Sequence, residues 1–167
     1  MIIGIDPGVS GAYSIILSSG GVASFDVPTT QLTQTKKEMD GRTVVYALDQ
    51  LRKSKEMFPS SKGKEPLLVG LEDVHAMPKQ GVSSTFKFGR NVGQWEGILW
   101  SLHATILYVT PQAWKKEFGL LRKDKDAARK VASDLFPSIR LSKKKDVGKA
   151  DSLLIAEYVR RNFDAPK

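Results

Sequence analysis

At 167 residues and 41% hydrophobic content, the chain suits a single packed domain over residues 1–167, and no internal repeat divides it. It holds no cysteine, which excludes disulfides, thiolate catalysis and cysteine-type zinc sites. Lysine and arginine number 26 against 18 acids, a formal charge of +8, so the expected partner is a polyanion such as a nucleic-acid backbone. On charge alone, a solvated basic surface reads the same way.

No apolar run reaches membrane-spanning length, and no basic segment precedes a signal-type hydrophobic stretch. An intracellular, soluble protein with no membrane partner is expected. The opening run Ile2, Ile3, Ile5 is a buried strand that ends in Asp6, and a Pro-Gly-Val-Ser-Gly turn leads to a second strand over Ala12 to Leu17. Ser18 to Gly21 is a hairpin turn, and Val22 to Val27 alternates as a third strand. Pro28 to Asp40 is polar and predicts an exposed loop. A helix starting at Asp40 or Thr43 carries Val44, Val45, Leu48 and Leu51 on one face. Met57 to Pro66 is a second loop.

Leu67 to Asp73 repeats the design of the first strand, a continuous apolar run ending in acids. Side chains alternate along a strand, so Glu72 and Asp73 face opposite ways, and Glu72 is the favoured ligand. Val74 to Ser84 contains Pro78 and Gly81 and predicts an irregular segment. Thr85 to His103 predicts a long helix, with Gly89, Gly93 and Gly97 forming a small-residue stripe at i, i+4, i+8. Glycine weakens a helix, so close packing on the sheet or on a second subunit is its expected compensation.

Thr105 to Thr110 is a further strand, Gln112 to Phe118 a short helix after Pro111, and Lys125 to Phe136 a helix stopped by Pro137. Arg140 to Lys149 is a lysine-rich loop containing Asp146. Ala150 to Val159 closes the chain with a helix whose first turn holds Asp151. The expected fold class is α/β: a five-stranded mixed sheet with helices on both faces.

Four acids stand out: Asp6, Glu72, Asp146 and Asp151. Each has a plain reading. Asp6 opens a turn, Asp151 suits a helix N-terminus, and Asp146 balances its lysine neighbours. Jointly, acids at two strand ends and one helix start suit a site for divalent cations, which prefer hard oxygen ligands.

Several stretches resemble the RuvC family of ribonuclease H-like nucleases, the Holliday junction resolvases. They are Ile3-Gly-Ile-Asp-Pro-Gly-Val-Ser-Gly11, the block from Leu71 to Arg90, Val109-Thr-Pro-Gln-Ala-Trp-Lys-Lys116, and Lys149-Ala-Asp-Ser-Leu-Leu-Ile-Ala-Glu-Tyr158. They run in the family's order from residue 2 to about 160, and the form is most similar to phage and organellar resolvases. The resemblance implies a ribonuclease H-like fold with Asp6, Glu72, Asp146 and Asp151 as catalytic metal ligands. The best-known bacterial pattern has its last two acids three residues apart. Here that position is Gly148, and Asp146 takes the fourth place instead.

Lys115 matches a basic residue near the scissile phosphate, with Lys116 and Lys125 as backbone contacts. His75 stands where relatives put an aromatic residue, to stack on a base, carry a proton or pack in its loop. Lys79, Ser83, Ser84, Lys87 and Arg90 of the same block are the remaining expected DNA contacts. The long helix matches the element that pairs subunits, implying a homodimer on branched DNA.

The activity so implied is resolution of four-way junctions by symmetric paired nicks. Two Mg²⁺ ions per site, replaceable by Mn²⁺, would assist hydrolysis to 5′-phosphate and 3′-hydroxyl ends. No nucleotide cofactor is implied. The location would be the bacterial host's cytoplasm for a phage protein, or an organelle for the organellar branch. Competing readings are a ribonuclease H acting on RNA–DNA hybrids and a non-catalytic branched-DNA-binding protein. A sugar-kinase or actin-type ATPase shares the strand opening but needs two such domains.

Overall fold

A computed structural model of the chain describes residues 1–34, 36–53, 67–75 and 81–163, except for the side chains of Arg52 and Lys125. The expected loop at Met57 to Pro66 lies wholly outside the described residues, as do residues 76–80 of the irregular segment.

Three strands, β1 (Ile2–Asp6), β2 (Ala12–Ile16) and β3 (Val22–Asp26), form an antiparallel meander. β6 (Leu68–Glu72) pairs in parallel with β1, and β7 (Thr105–Val109) in parallel with β6. The sheet order is β3-β2-β1-β6-β7, the five-stranded mixed sheet that the sequence predicts.

Alternation along the strands builds two cores. Ile3, Ile5, Val69 and Leu71 face α1 (Gly41–Lys53) and α2 (Val82–Ser101), meeting Val44, Leu48, Trp95 and Leu99. Ile2 and Val109 face α3 (Pro111–Glu117), α4 (Lys125–Leu135) and α5 (Val147–Phe163), among Trp114, Ala132, Leu153 and Ile155. Helices therefore cover both faces. Among the described residues no helix is long and apolar enough to cross a membrane.

α5 lies directly across the sheet because glycine opens the way. A Cβ on Gly4 would stand 2.1 Å from the Ser152 carbonyl oxygen and 2.4 Å from the Ala156 nitrogen. Its neighbour in register, Gly70, is filled by Val159 and Ile155 of the same helix. At the other end of α5, Gly148 packs against Ser10 and Gly11 of the β1–β2 turn. The helix thus runs antiparallel to β1, its N-terminal end over the C-terminal ends of β1 and β6.

The structure departs from the sequence reading in three places. The expected exposed loop at 28–40 contains a hairpin, β4 (Thr29–Gln31) and β5 (Lys37–Met39), anchored by buried Val27 and Met39. Asp40 then caps α1, its Oδ1 accepting from the Thr43 amide at 3.2 Å and its Oδ2 from the Thr43 hydroxyl at 2.8 Å. α2 begins at Val82, three residues early, since the helical backbone forms without a side-chain cap. A 3₁₀ turn at Lys144–Asp146 runs into α5, so the last helix starts at Val147 and Asp151 sits in its second turn, not its first.

Candidate active site

Asp6 and Glu72 end adjacent parallel strands, and the register carries them to the same side. Gly4 pairs with Gly70, and two residues further along each strand stand the two acids. Both share the face that Gly4 and Gly70 present to α5. Asp73 takes the other face: its amide donates to the Val109 carbonyl at 2.9 Å, and its Oδ2 lies 3.7 Å from His75 Nε2.

The pair is electrostatically uncomfortable. Burial, and then the negative charge of Asp6, push Glu72 above the ordinary glutamate range. A hydrogen bond from Trp114 and the charge of Lys115 pull it part of the way back. Trp114 Nε1 donates to Glu72 Oε1 at 3.0 Å, and the indole is fully buried. Thr110 caps α3 by accepting from the Ala113 amide at 3.3 Å, and Pro111 at the first helical position fixes where Trp114 points. Lys115 follows on that helix, its Nζ 5.1 Å from the Trp114 ring centroid. At Asp6, the Gly8 amide donates to Oδ1 at 3.3 Å.

Asp151 lies one turn after Gly148, on the side of α5 that meets the β1–β2 turn. Ser152 beside it is buried, its hydroxyl 2.6 Å from that of Ser14, which donates to Ser24 at 2.8 Å. This polar link pins α5 to β2 and β3. Lys149 adds an ion pair with Asp26 at 3.2 Å. Asp146 is only 5% exposed, and its Oδ2 accepts from the Lys143 amide at 2.7 Å, closing the 3₁₀ turn. One of its carboxylate oxygens is therefore engaged locally.

Among the described residues no group of three or more acids and histidines is drawn tightly enough to hold a metal ion, so the structure brings together the pair Asp6 and Glu72. The chemistry of that pair still fits a hard cation. Two carboxylates on one face, with Glu72 shifted toward its protonated form by burial and then by Asp6, gain most from a positive charge between them.

The expected DNA contacts spread around this centre. His75 is exposed beyond the end of β6, and Ser83, Ser84 and Lys87 are exposed on the first turns of α2. Arg90 is exposed, with its guanidinium on Glu38 at 2.5 Å. Lys116 is exposed on α3 and Lys125 begins α4. Lys79 and the side chain of Lys125 lie outside the described residues. Trp114 stands inside the Val109 to Lys116 stretch, but its place in the sequence alone marks no role for it. The pattern of an indole followed by two lysines on a capped helix was the available signal.

No protein-family model and no curated protein matches the sequence. Two solved structures of RuvC from Thermus thermophilus are similar in fold. The one in complex with a Holliday junction substrate aligns with a TM-score of 0.55 at 13% identity, covering 96% of this chain and 94% of that one. The other aligns with a TM-score of 0.52 at 11% identity, covering 96% and 95%. The chain shares the ribonuclease H-like α/β fold of those structures over nearly its whole length.

Proposed function

We propose that the chain is a metal-dependent endonuclease that resolves four-way DNA junctions by symmetric paired nicks, leaving 5′-phosphate and 3′-hydroxyl ends. The observation that carries the reading is the Asp6–Glu72 pair, two acids at the ends of adjacent parallel strands on the face covered by α5. The full-length likeness in fold to a RuvC bound to a Holliday junction substrate supports it.

In this reading Asp6 and Glu72 would hold divalent cations, with Asp151 and Asp146 drawn in as further ligands. Mg²⁺, or Mn²⁺ in its place, would supply there an activated water and stabilisation of the departing 3′ oxygen. The protein's own residues do the rest. Trp114 fixes the Glu72 carboxylate by donating to one of its oxygens. Lys115, already near enough to lower the cost of charge on Glu72, neutralises the phosphate being attacked. His75, Lys79, Ser83, Ser84, Lys87, Arg90, Lys116 and Lys125 contact DNA, the cations setting affinity rather than base sequence.

The subunits pair through α2. A Cβ on Gly89, Gly93 or Gly97 would meet nothing within 4 Å, so this stripe is open and not spent on the sheet. Two symmetry-related sites suit a substrate with approximate twofold symmetry.

The test is cleavage of a labelled mobile four-way junction in Mg²⁺, with flap and RNA–DNA hybrid controls, by the wild type and Asp6→Asn. Paired symmetric nicks that the variant loses are expected. Preference for the hybrid would replace the reading with a ribonuclease H, and binding without cutting in Mg²⁺ or Mn²⁺ would remove the catalytic role of the acids.

A further inference from the structure

The β4–β5 hairpin, which the sequence hides as a polar loop, makes one wall of a cleft with α2. Lys36 and Lys37 line it from the hairpin, Lys87 and Arg90 from the helix. Asn91, which is buried, and the partly exposed Gln94 belong to the same lining, and so do Leu32 and Val9. Val9 sits in the β1–β2 turn, three residues past Asp6, so that turn joins the cleft lining to the strand end that carries the acid.

We propose that this cleft grips the sugar–phosphate backbone of the DNA, with the hairpin as a second jaw opposite α2. The inference rests on the nuclease reading and adds a binding element to it.

Charge is the first argument. Four cations from two separate elements face one cleft, against Glu38, the one carboxylate among its lining residues. Glu38 pairs with Arg90, so the cleft keeps a net excess of three positive charges. Like charges gathered across a gap repel, and a polyanion turns that repulsion into attraction. The second argument is rigidity. Met39 and Val27 root the hairpin in the core, and the Leu32 amide donates to the Lys36 carbonyl at 2.8 Å across the turn. Lys36 and Lys37 are therefore held out from a fixed base. The third is the mixture of groups. The amides of Asn91 and Gln94 suit phosphate and sugar oxygens, and Val9 and Leu32 offer apolar contact to the sugars. A small anion would use one or two of these groups, whereas a strand of regularly spaced phosphates uses both walls.

The experiment compares wild type, Lys36→Gln/Lys37→Gln and Lys36→Arg/Lys37→Arg as full chains. It measures equilibrium binding of a fluorescent four-way junction without divalent metal over a salt series, and single-turnover cleavage at saturating protein in Mg²⁺. Each lost phosphate contact makes the log–log salt slope shallower by about 0.9. The Gln pair should therefore lose nearly two from the slope and bind about tenfold more weakly at physiological salt. The saturated cleavage rate and the thermal midpoint should stay at wild-type values, and the Arg pair should bind as wild type does.

Unchanged affinity and slope in the Gln pair, with a wild type that binds and cuts, would overturn the hairpin's role alone. Equal loss in the Arg pair, or a fallen thermal midpoint, would also overturn it by making the hairpin a structural support. A wild type that binds no DNA would overturn the nuclease reading beneath it.

Discussion

Glu72 carries a conflict that a cation would relieve. Buried and set beside Asp6, it is held above the ordinary glutamate range, so folding shifts it toward its protonated form relative to the unfolded chain. Its contribution to stability is full below the unfolded value and is lost as pH rises through the folded one. In EDTA, the thermal midpoint of the wild type should fall over that window relative to Glu72→Gln, which should be the more stable protein at neutral pH. Mg²⁺ should then raise the midpoint of the wild type and leave that of the variant nearly unmoved. A Glu72→Gln protein less stable than wild type in EDTA at neutral pH would contradict this account.

Trp114→Phe keeps most of the buried ring and removes the hydrogen bond to Glu72. Losing such a supporting partner should weaken cation affinity or activity about 10–100-fold. The loss should appear as a raised Mg²⁺ requirement in single-turnover cleavage, and an unchanged Mg²⁺ titration would refute it. Asp6 and Glu72 were legible in the sequence because each ends a continuous apolar run. Trp114 was not, since a buried indole scores as core and its carboxylate partner lies 42 residues earlier.

At the scale of elements, the site depends on how closely α5 approaches the sheet. Gly4→Ala would drive a methyl group into the backbone of α5 at Ser152 and Ala156, and backbone cannot swing aside. A stability loss of about 1–3 kcal/mol or more is expected from such overpacking. Because Asp151 is next to Ser152, cleavage should fall further than denaturant midpoints predict. Parity between the two effects would mean that α5 does not position the site.

The order of strands and helices was readable because most elements carry their own apolar period. β4 and β5 escaped because both strands are polar, Met39 being their one buried side chain. The start of α5 escaped for a related reason. Asp146 looks like a loop acid among lysines, yet its carboxylate closes a 3₁₀ turn on Lys143, which leads the helix in three residues early. The close contacts at Gly4 and Gly70 were equally hidden, since a glycine in a strand does not announce what lies above it.

For the whole molecule, α2 has one face in the core, one lining the basic cleft, and one left over. The core face holds Trp95, Ile98 and Leu99, and the cleft face Lys87, Arg90 and Gln94. The third carries Gly89, Gly93 and Gly97, flanked by Phe86 at 72% and Trp100 at 60% exposure. That pattern is symmetric about Gly93: glycines four residues to either side, an aromatic residue seven to either side. An antiparallel pairing of two copies would set glycine against glycine at the centre and Phe86 against Trp100 at both ends. Small central residues let the backbones approach, and the two aromatic pairs cover the largest exposed apolar side chains of the helix.

Substitution there should separate two effects. Gly93→Ala adds a methyl group in open space, so it should stabilise an isolated helix by about 0.8–1 kcal/mol while loosening a seam that needs close approach. Phe86→Glu/Trp100→Glu should go further and give a folded monomer in sedimentation equilibrium, where the wild type should run as a dimer. On a four-way junction that monomer should leave single nicks in place of paired ones, since each subunit keeps its own acids but loses the symmetric partner. A wild type that is monomeric at micromolar concentration, or a double variant that keeps its dimer mass, would mean that this face pairs with something else.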